Sequence, residues 1–122
     1  MSWFSGKKGA SGPDYSHATS REAVSRLVEE GELTPLLLLP ELFGGDERIE
    51  HVVFVPHFVA ELKNRTDENI IGPLAADGTI TRYSAWPTYS GGCFVPILLT
   101  VRAYDPGDLT ETIRIWGEGL TM

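Results

Sequence analysis

The chain has 122 residues, of which 42% are hydrophobic and 22% charged, a composition that places it among ordinary globular proteins and excludes the disordered and fibrous classes. Its net charge is −7, and residues 18–122 hold eight Lys or Arg against sixteen Asp or Glu. Such a surface repels phosphate backbones, so no nucleic-acid partner is expected.

Cys93 is the only cysteine, which excludes an intramolecular disulfide and a multi-cysteine zinc site and makes a reduced, cytoplasmic setting the expectation. The apolar run at residues 35–40 is six residues long and contains two prolines, whereas a membrane span takes about twenty apolar residues. No membrane association is expected. The first twenty residues hold no apolar run long enough for a signal-peptide core.

Residues 1–17 are rich in Ser and Gly, contain Pro13 and follow neither a helical nor a strand period; they read as a disordered N-terminal tail carrying Trp3 and Phe4. Thr19 or Ser20 then caps a helix, with Glu22 in capping-box spacing from Thr19. Ala23, Val24, Leu27 and Val28 supply its apolar face, and Gly31 closes it. Residues 34–39, apolar and bounded by Pro35 and Pro40, read as a short strand. A turn over residues 41–50 contains Gly44-Gly45-Asp46, and the β-branched run 49–55 is the second strand. Pro56 opens a second helix reaching about Asn64, with Phe58, Val59 and Leu62 as its buried stripe.

Residues 65–69 are polar and predict a loop. Residues 70–74 and 79–85 flank Asp77-Gly78, the strongest hairpin signal in the chain. A loop over residues 86–92 follows, in which a cis Trp86–Pro87 bond is one option. Residues 93–104 are so uniformly apolar that they predict the central strand, bulged at Pro96. Asp105-Pro106-Gly107-Asp108 is a turn. Residues 110–116 alternate as a last strand, with Ile113 and Ile115 on one face and Thr112, Arg114 and Trp116 on the other. The expected fold is α+β: a mainly antiparallel sheet of about five strands with two helices packed on one face, forming one domain over residues 18–122.

Few residue groups carry chemistry. His51 and His57 bracket the second strand, and Glu61 lies four residues beyond His57, a set a metal would accept, although the spacing matches no common ligand motif. Cys93 follows Ser90-Gly91-Gly92, where glycine N–H groups can line an anion-binding concavity; a nucleophilic thiol would also need His51 or His57 as its base. As the first residue of an apolar strand, Cys93 reads instead as a structural thiol. Neither glycine pair belongs to a nucleotide fingerprint, and no cofactor is expected. The carboxylates Asp46, Glu47 and Glu50, and again Asp67 and Glu68, lack the alternating spacing of a calcium loop and read as solvated surface.

Tyr83, Trp86 and Tyr89 place three aromatics in and beside the expected loop, a composition typical of contact surfaces. The expected function is therefore that of a small acidic protein-interaction or regulatory module without catalytic activity, its protein partner not named by the sequence. The alternatives are a small enzyme or metal-binding protein using Cys93, His51 and His57, or a subunit of a larger assembly.

Overall fold

A computed structural model describes residues 14–40, 43 and 52–121. Helix α1, Arg21–Glu29, begins at Ser20, whose extended backbone lets its hydroxyl accept the Ala23 N–H at 3.1 Å. With Ser20 as the cap, Glu22 stands one position short of the capping-box place expected from Thr19. The helix ends as its glycine predicts. Gly31 sits at φ +81°, its N–H donates to the Val28 carbonyl, and the Glu32 N–H reaches back to the Leu27 carbonyl, the paired bonds of a Schellman cap. Val24 and Leu27 are buried beneath α1.

Strand β1, Thr34–Leu37, pairs antiparallel with β2, Val52–Val55, in the register Thr34 to Val55 and Leu37 to Val52. The turn expected between them, with Gly44 and Gly45, lies outside the described residues. So do Trp3, Phe4 and His51.

Helix α2, His57–Thr66, follows Pro56 as expected, but it buries a different stripe. Phe58 and Leu62 are 47% and 42% exposed, while Val59 and Lys63 are buried. The inward row is Val59, Lys63, Asp67 and Ile71, each four residues after the last, and a lysine in it hides the row from hydrophobic patterning. For the same reason residues 65–69 are not a loop: the helix continues through a π-turn, Asp67–Ile71, into α3, Gly72–Ala76. Pro73 accounts for the wide turn. Its ring would strike the Asn69 carbonyl in a regular α-helix; instead, the Gly72 N–H bonds five residues back to the Asp67 carbonyl.

Residues 70–74 are therefore helical rather than a strand, and Asp77-Gly78 ends a helix instead of turning a hairpin. Gly78 at φ +82° repeats the Schellman bonds, Gly78 to Ala75 and Thr79 to Leu74. Left-handed glycine serves both structures, so the dipeptide alone does not distinguish them.

Strands β3, Ile80–Thr88, β4, Leu98–Pro106, and β5, Asp108–Arg114, form an antiparallel meander with β4 central. Trp86 and Pro87, expected in a loop, belong to β3, opposite Thr100 and Leu99. Proline is tolerated there because β3 is an edge strand. Residues 93–97 precede β4 and lie outside it: Cys93, Val95 and Ile97 are apolar because they are buried, not because they pair. The expected turn at residues 105–108 is present; its Asp105–Pro106 peptide bond is cis. β5 stops two residues early, and Trp116 does not join Thr112 and Arg114 on the outer face. Both Ile115 and Trp116 direct their N–H groups at the Ile97 carbonyl, at 2.9 and 3.3 Å, which turns the Trp116 ring inward before the 3₁₀ turn Gly117–Leu120.

The fold is thus α+β with five antiparallel strands, divided into a two-stranded and a three-stranded sheet. A larger core joins α1, β1, β2 and residues 93–99 to Ile113, Ile115 and Trp116; a smaller one gathers Ile71, Ile80, Tyr83, Val101 and Ala103. Tyr15, placed by its sequence in the tail, is buried in the larger core with its ring edge-on to Trp116, at 5.8 Å and 87°. Among the described residues no helix is long and apolar enough to cross a membrane.

Candidate binding cleft

Three walls enclose a cleft of about 650 Å³. The first turns of α1 give Arg21, Val24 and Ser25, which share a face at i, i+3 and i+4; β2 gives Val52, Val53 and Phe54; and the segment leading to β4 gives Tyr89 and residues 91–94. This volume falls within the usual range for binding sites, roughly 300–1,000 Å³. Tyr89 and Phe94 are 46% and 43% exposed, large apolar area left beside a concavity. Among the described residues Arg21 is the only charged one lining the cleft.

The segment carrying the two aromatics is held at several points. The Phe94 N–H donates to the Ala18 carbonyl at 2.8 Å, Cys93 N–H to the Ser90 carbonyl at 3.2 Å, and the Ser90 hydroxyl to Glu118 Oε1 at 2.8 Å. Gly91, at φ +58°, takes the left-handed conformation this bend requires. Burial, with the Cys93 sulfur beside it, raises the Tyr89 hydroxyl pKa.

Cys93 forms part of the cleft floor and is itself buried. Its Sγ donates to the Tyr15 carbonyl at 3.0 Å and accepts the Val95 N–H at 3.4 Å. Among the described residues no base touches it: His57 Nε2 lies 3.0 Å from the Gly31 carbonyl. Of the proposed metal set, two members can be placed. His57 and Glu61 are exposed on α2, His51 lies outside the described residues, and among the described residues no group of three His, Cys, Asp or Glu could hold an ion.

The three aromatics expected to share a contact surface separate. Tyr83 is 9% exposed and packs inward, so it offers no contact area; Trp86, three residues on and therefore on the opposite face of β3, is 45% exposed; Tyr89 lines the cleft. Around Trp86 the open face of the sheet carries Thr100, Thr112, Arg102 and Arg82, with both arginines paired to carboxylates, Arg82 to Asp105 at 3.4 Å and Arg102 to Asp108 at 3.1 Å. Phe54, Phe94 and Arg21 escaped the sequence reading. Tyr89, the Gly91-Gly92 pair and Cys93 are the sequence signals that point at this corner.

A second cluster lies under the π-turn. Lys63 Nζ is 2.7 Å from Asp67 Oδ2, the Tyr83 hydroxyl donates to Asp67 Oδ1 at 3.0 Å, and Lys63 Nζ stands 5.3 Å from the Tyr83 ring centroid, on which Phe43 stacks at 5.1 Å. Asp67 is thus a structural counter-ion and not part of a solvated surface. Burial pulls the Lys63 pKa down, against the opposing pull of Asp67, and burial with Asp67 drives the Tyr83 pKa strongly up. Burial and Glu32 raise that of Tyr15.

These shifts predict the alkaline limb of stability. A tyrosine whose folded pKa is raised above 10.0 holds its proton more tightly in the native state, so its contribution is complete below pH 10.0 and lost above it. Lys63, lowered from 10.5, acts oppositely: its penalty eases as the pH rises toward 10.5. Three tyrosines oppose one lysine, so unfolding free energy from urea titrations should fall beyond about pH 10, and Tyr83→Phe should flatten that fall. An unchanged slope in Tyr83→Phe would remove Tyr83 as its cause.

Compared with models of protein families, with curated proteins and with solved structures, the chain matches none.

Proposed function

We propose that this chain is an acidic, non-catalytic protein-interaction module of the cytoplasm that receives its partner in the cleft between α1, β2 and residues 89–94. The observation that carries this reading is the pairing of two exposed aromatics, Tyr89 and Phe94, with a concavity that is mostly apolar and, among the described residues, bears a single cation, Arg21. Aromatic side chains bury large area with few rotatable bonds, and they dominate the binding energy of interfaces. The buried, hydrogen-bonded thiol of Cys93 favours binding over catalysis, because its proton is already committed to the Tyr15 carbonyl. The net charge of −7, together with the pairing of Arg82 and Arg102 to carboxylates, favours a polypeptide partner over a nucleic acid.

The double variant Tyr89→Ala/Phe94→Ala should lose partner capture from host lysate by about a hundredfold or more, at about 2 kcal/mol for each anchor, while its thermal unfolding stays close to that of the parent. Trp86→Ala, on the other face of β3, should capture normally. Capture that survives the double variant, or that Trp86→Ala alone abolishes, would move the interface away from the cleft.

A further inference from the structure

Three successive residues of β2, Val52, Val53 and Phe54, line the cleft, and no residue of β1 does. Neighbouring side chains on a strand point to opposite faces, so a wall made of all three runs along the strand's edge and not across one face of its sheet. That edge is open. Among the described residues β2 pairs only with β1, and residues 52–54 make no other backbone hydrogen bond.

The register identifies the backbone groups that look outward. Pro35 stands opposite Phe54 and has no N–H to exchange, which makes theirs a non-hydrogen-bonded pair in the alternation of an antiparallel ladder. The N–H and C=O groups of Val52 and Phe54 then point away from β1, toward the cleft. On the far side of the pair, Pro35 leaves β1 short of a donor, a common way of blocking a sheet edge. Among the described residues one edge of this small sheet is blunted, and the other is left open beside a concavity.

We infer that the partner enters as an extended peptide that adds a third strand to β2, with α1 as the opposite wall and an Asp or Glu side chain of the peptide meeting Arg21; this rests on the cleft being the binding site. An unpaired strand edge facing a helix is the geometry of strand addition, in which main-chain bonds supply affinity and side-chain pockets supply selectivity. Tyr89, Phe94 and Phe54 provide apolar pockets for alternate residues. Gly91 and Gly92 leave bare backbone there, with open space where a Cβ would stand, so a second chain can approach closely. Among the described residues Arg21 is the only charge on the walls, and its guanidinium selects a carboxylate.

The test pans the full chain against a displayed library of randomised short peptides, then measures Kd for synthetic copies of the enriched sequences and amide exchange at Val52 and Phe54. Enriched peptides should alternate apolar and polar residues and carry Asp or Glu. Binding should slow exchange at both amides about tenfold or more, Arg21→Gln should raise Kd about tenfold, and N-methylating the facing peptide amides should raise it about fivefold, whereas amidating the peptide's C-terminus should change nothing. Peptides that lose affinity for Tyr89→Ala/Phe94→Ala yet leave both amides unprotected, or tolerate N-methylation, overturn strand addition while the cleft stands. Peptides indifferent to that double variant, or a library that yields no enriched sequence, overturn the cleft reading and this inference with it.

Discussion

Asp67→Ala is expected to cost about 3–5 kcal/mol, the range for breaking a buried ion pair from one side. Lys63 is 1% exposed, its ammonium sits 2.7 Å from the carboxylate, and the same carboxylate accepts the Tyr83 hydroxyl. Without Asp67 the ammonium is left in apolar surroundings or sheds its proton. Shedding it at neutral pH from a group of ordinary pKa 10.5 costs about 5 kcal/mol, so the loss is bounded near that figure. The same reasoning gives the variant a pH signature: its stability should climb between neutrality and about pH 10, as a lysine with a further lowered pKa is discharged at no cost to the fold. Lys63→Met should behave oppositely. It removes the buried charge and keeps the length of the side chain, while Asp67 retains Tyr83 as a donor and a 13% exposed path to water, so the change should stay within about 1 kcal/mol. Equilibrium urea unfolding of both variants decides the matter. Equal, small losses would mean that the pair does not hold the π-turn.

The elements most legible in the sequence are those in which local chemistry and tertiary burial agree. Helix α1 has its cap, its apolar face and its terminating glycine in one stretch, and β1, β2 and β4 are apolar at the positions that fold inward. The stretch from Lys63 to Gly78 was not legible, for a physical reason. Its inward row contains a lysine and an aspartate that satisfy each other four residues apart, and each alone reads as surface. Once that row is missed, polar residues 65–69 read as a loop and Asp77-Gly78 as a hairpin, although the same glycine conformation ends a helix. The candidate site was half legible. Tyr89 and the Gly91-Gly92 pair could be marked from composition, but the exposure of Phe94 within an apolar run, and the open edge of β2, depend on which strands pair. Pairing is a property of the whole chain and leaves no mark in a single segment.

Gly119→Ala should cost about 2–4 kcal/mol, at or slightly above the usual range for forcing a methyl into a filled core. Gly119 is buried in the 3₁₀ turn, and a Cβ there would overlap the carbonyl oxygen of Ile97 and stand 2.6 Å from its carbonyl carbon. Backbone cannot rotate aside as a flexible side chain can. The turn must lift off Ile97, and the carbonyl beneath it accepts the N–H groups of Ile115 and Trp116. Displacing Trp116 also strains the bond from its Nε1 to the Val95 carbonyl, at 3.1 Å, and its edge contact with Tyr15. A loss of this size should lower Tm by roughly 10–20 °C for a chain of this length. Gly117→Ala is the comparison: at φ +57° it incurs conformational strain of about 1 kcal/mol but meets only the tip of the Ile97 side chain, at 4.0 Å, so its Tm should fall much less. The two variants falling together would assign the effect to the turn's flexibility and not to the packing on Ile97. The displacement should also reach the cleft. Glu118 in this turn accepts the Ser90 hydroxyl, one of the bonds that tie the Tyr89–Phe94 segment to the body, so partner capture should weaken in Gly119→Ala at temperatures where the variant is still folded. Undiminished capture by folded Gly119→Ala would show that the aromatic segment keeps its position without the turn.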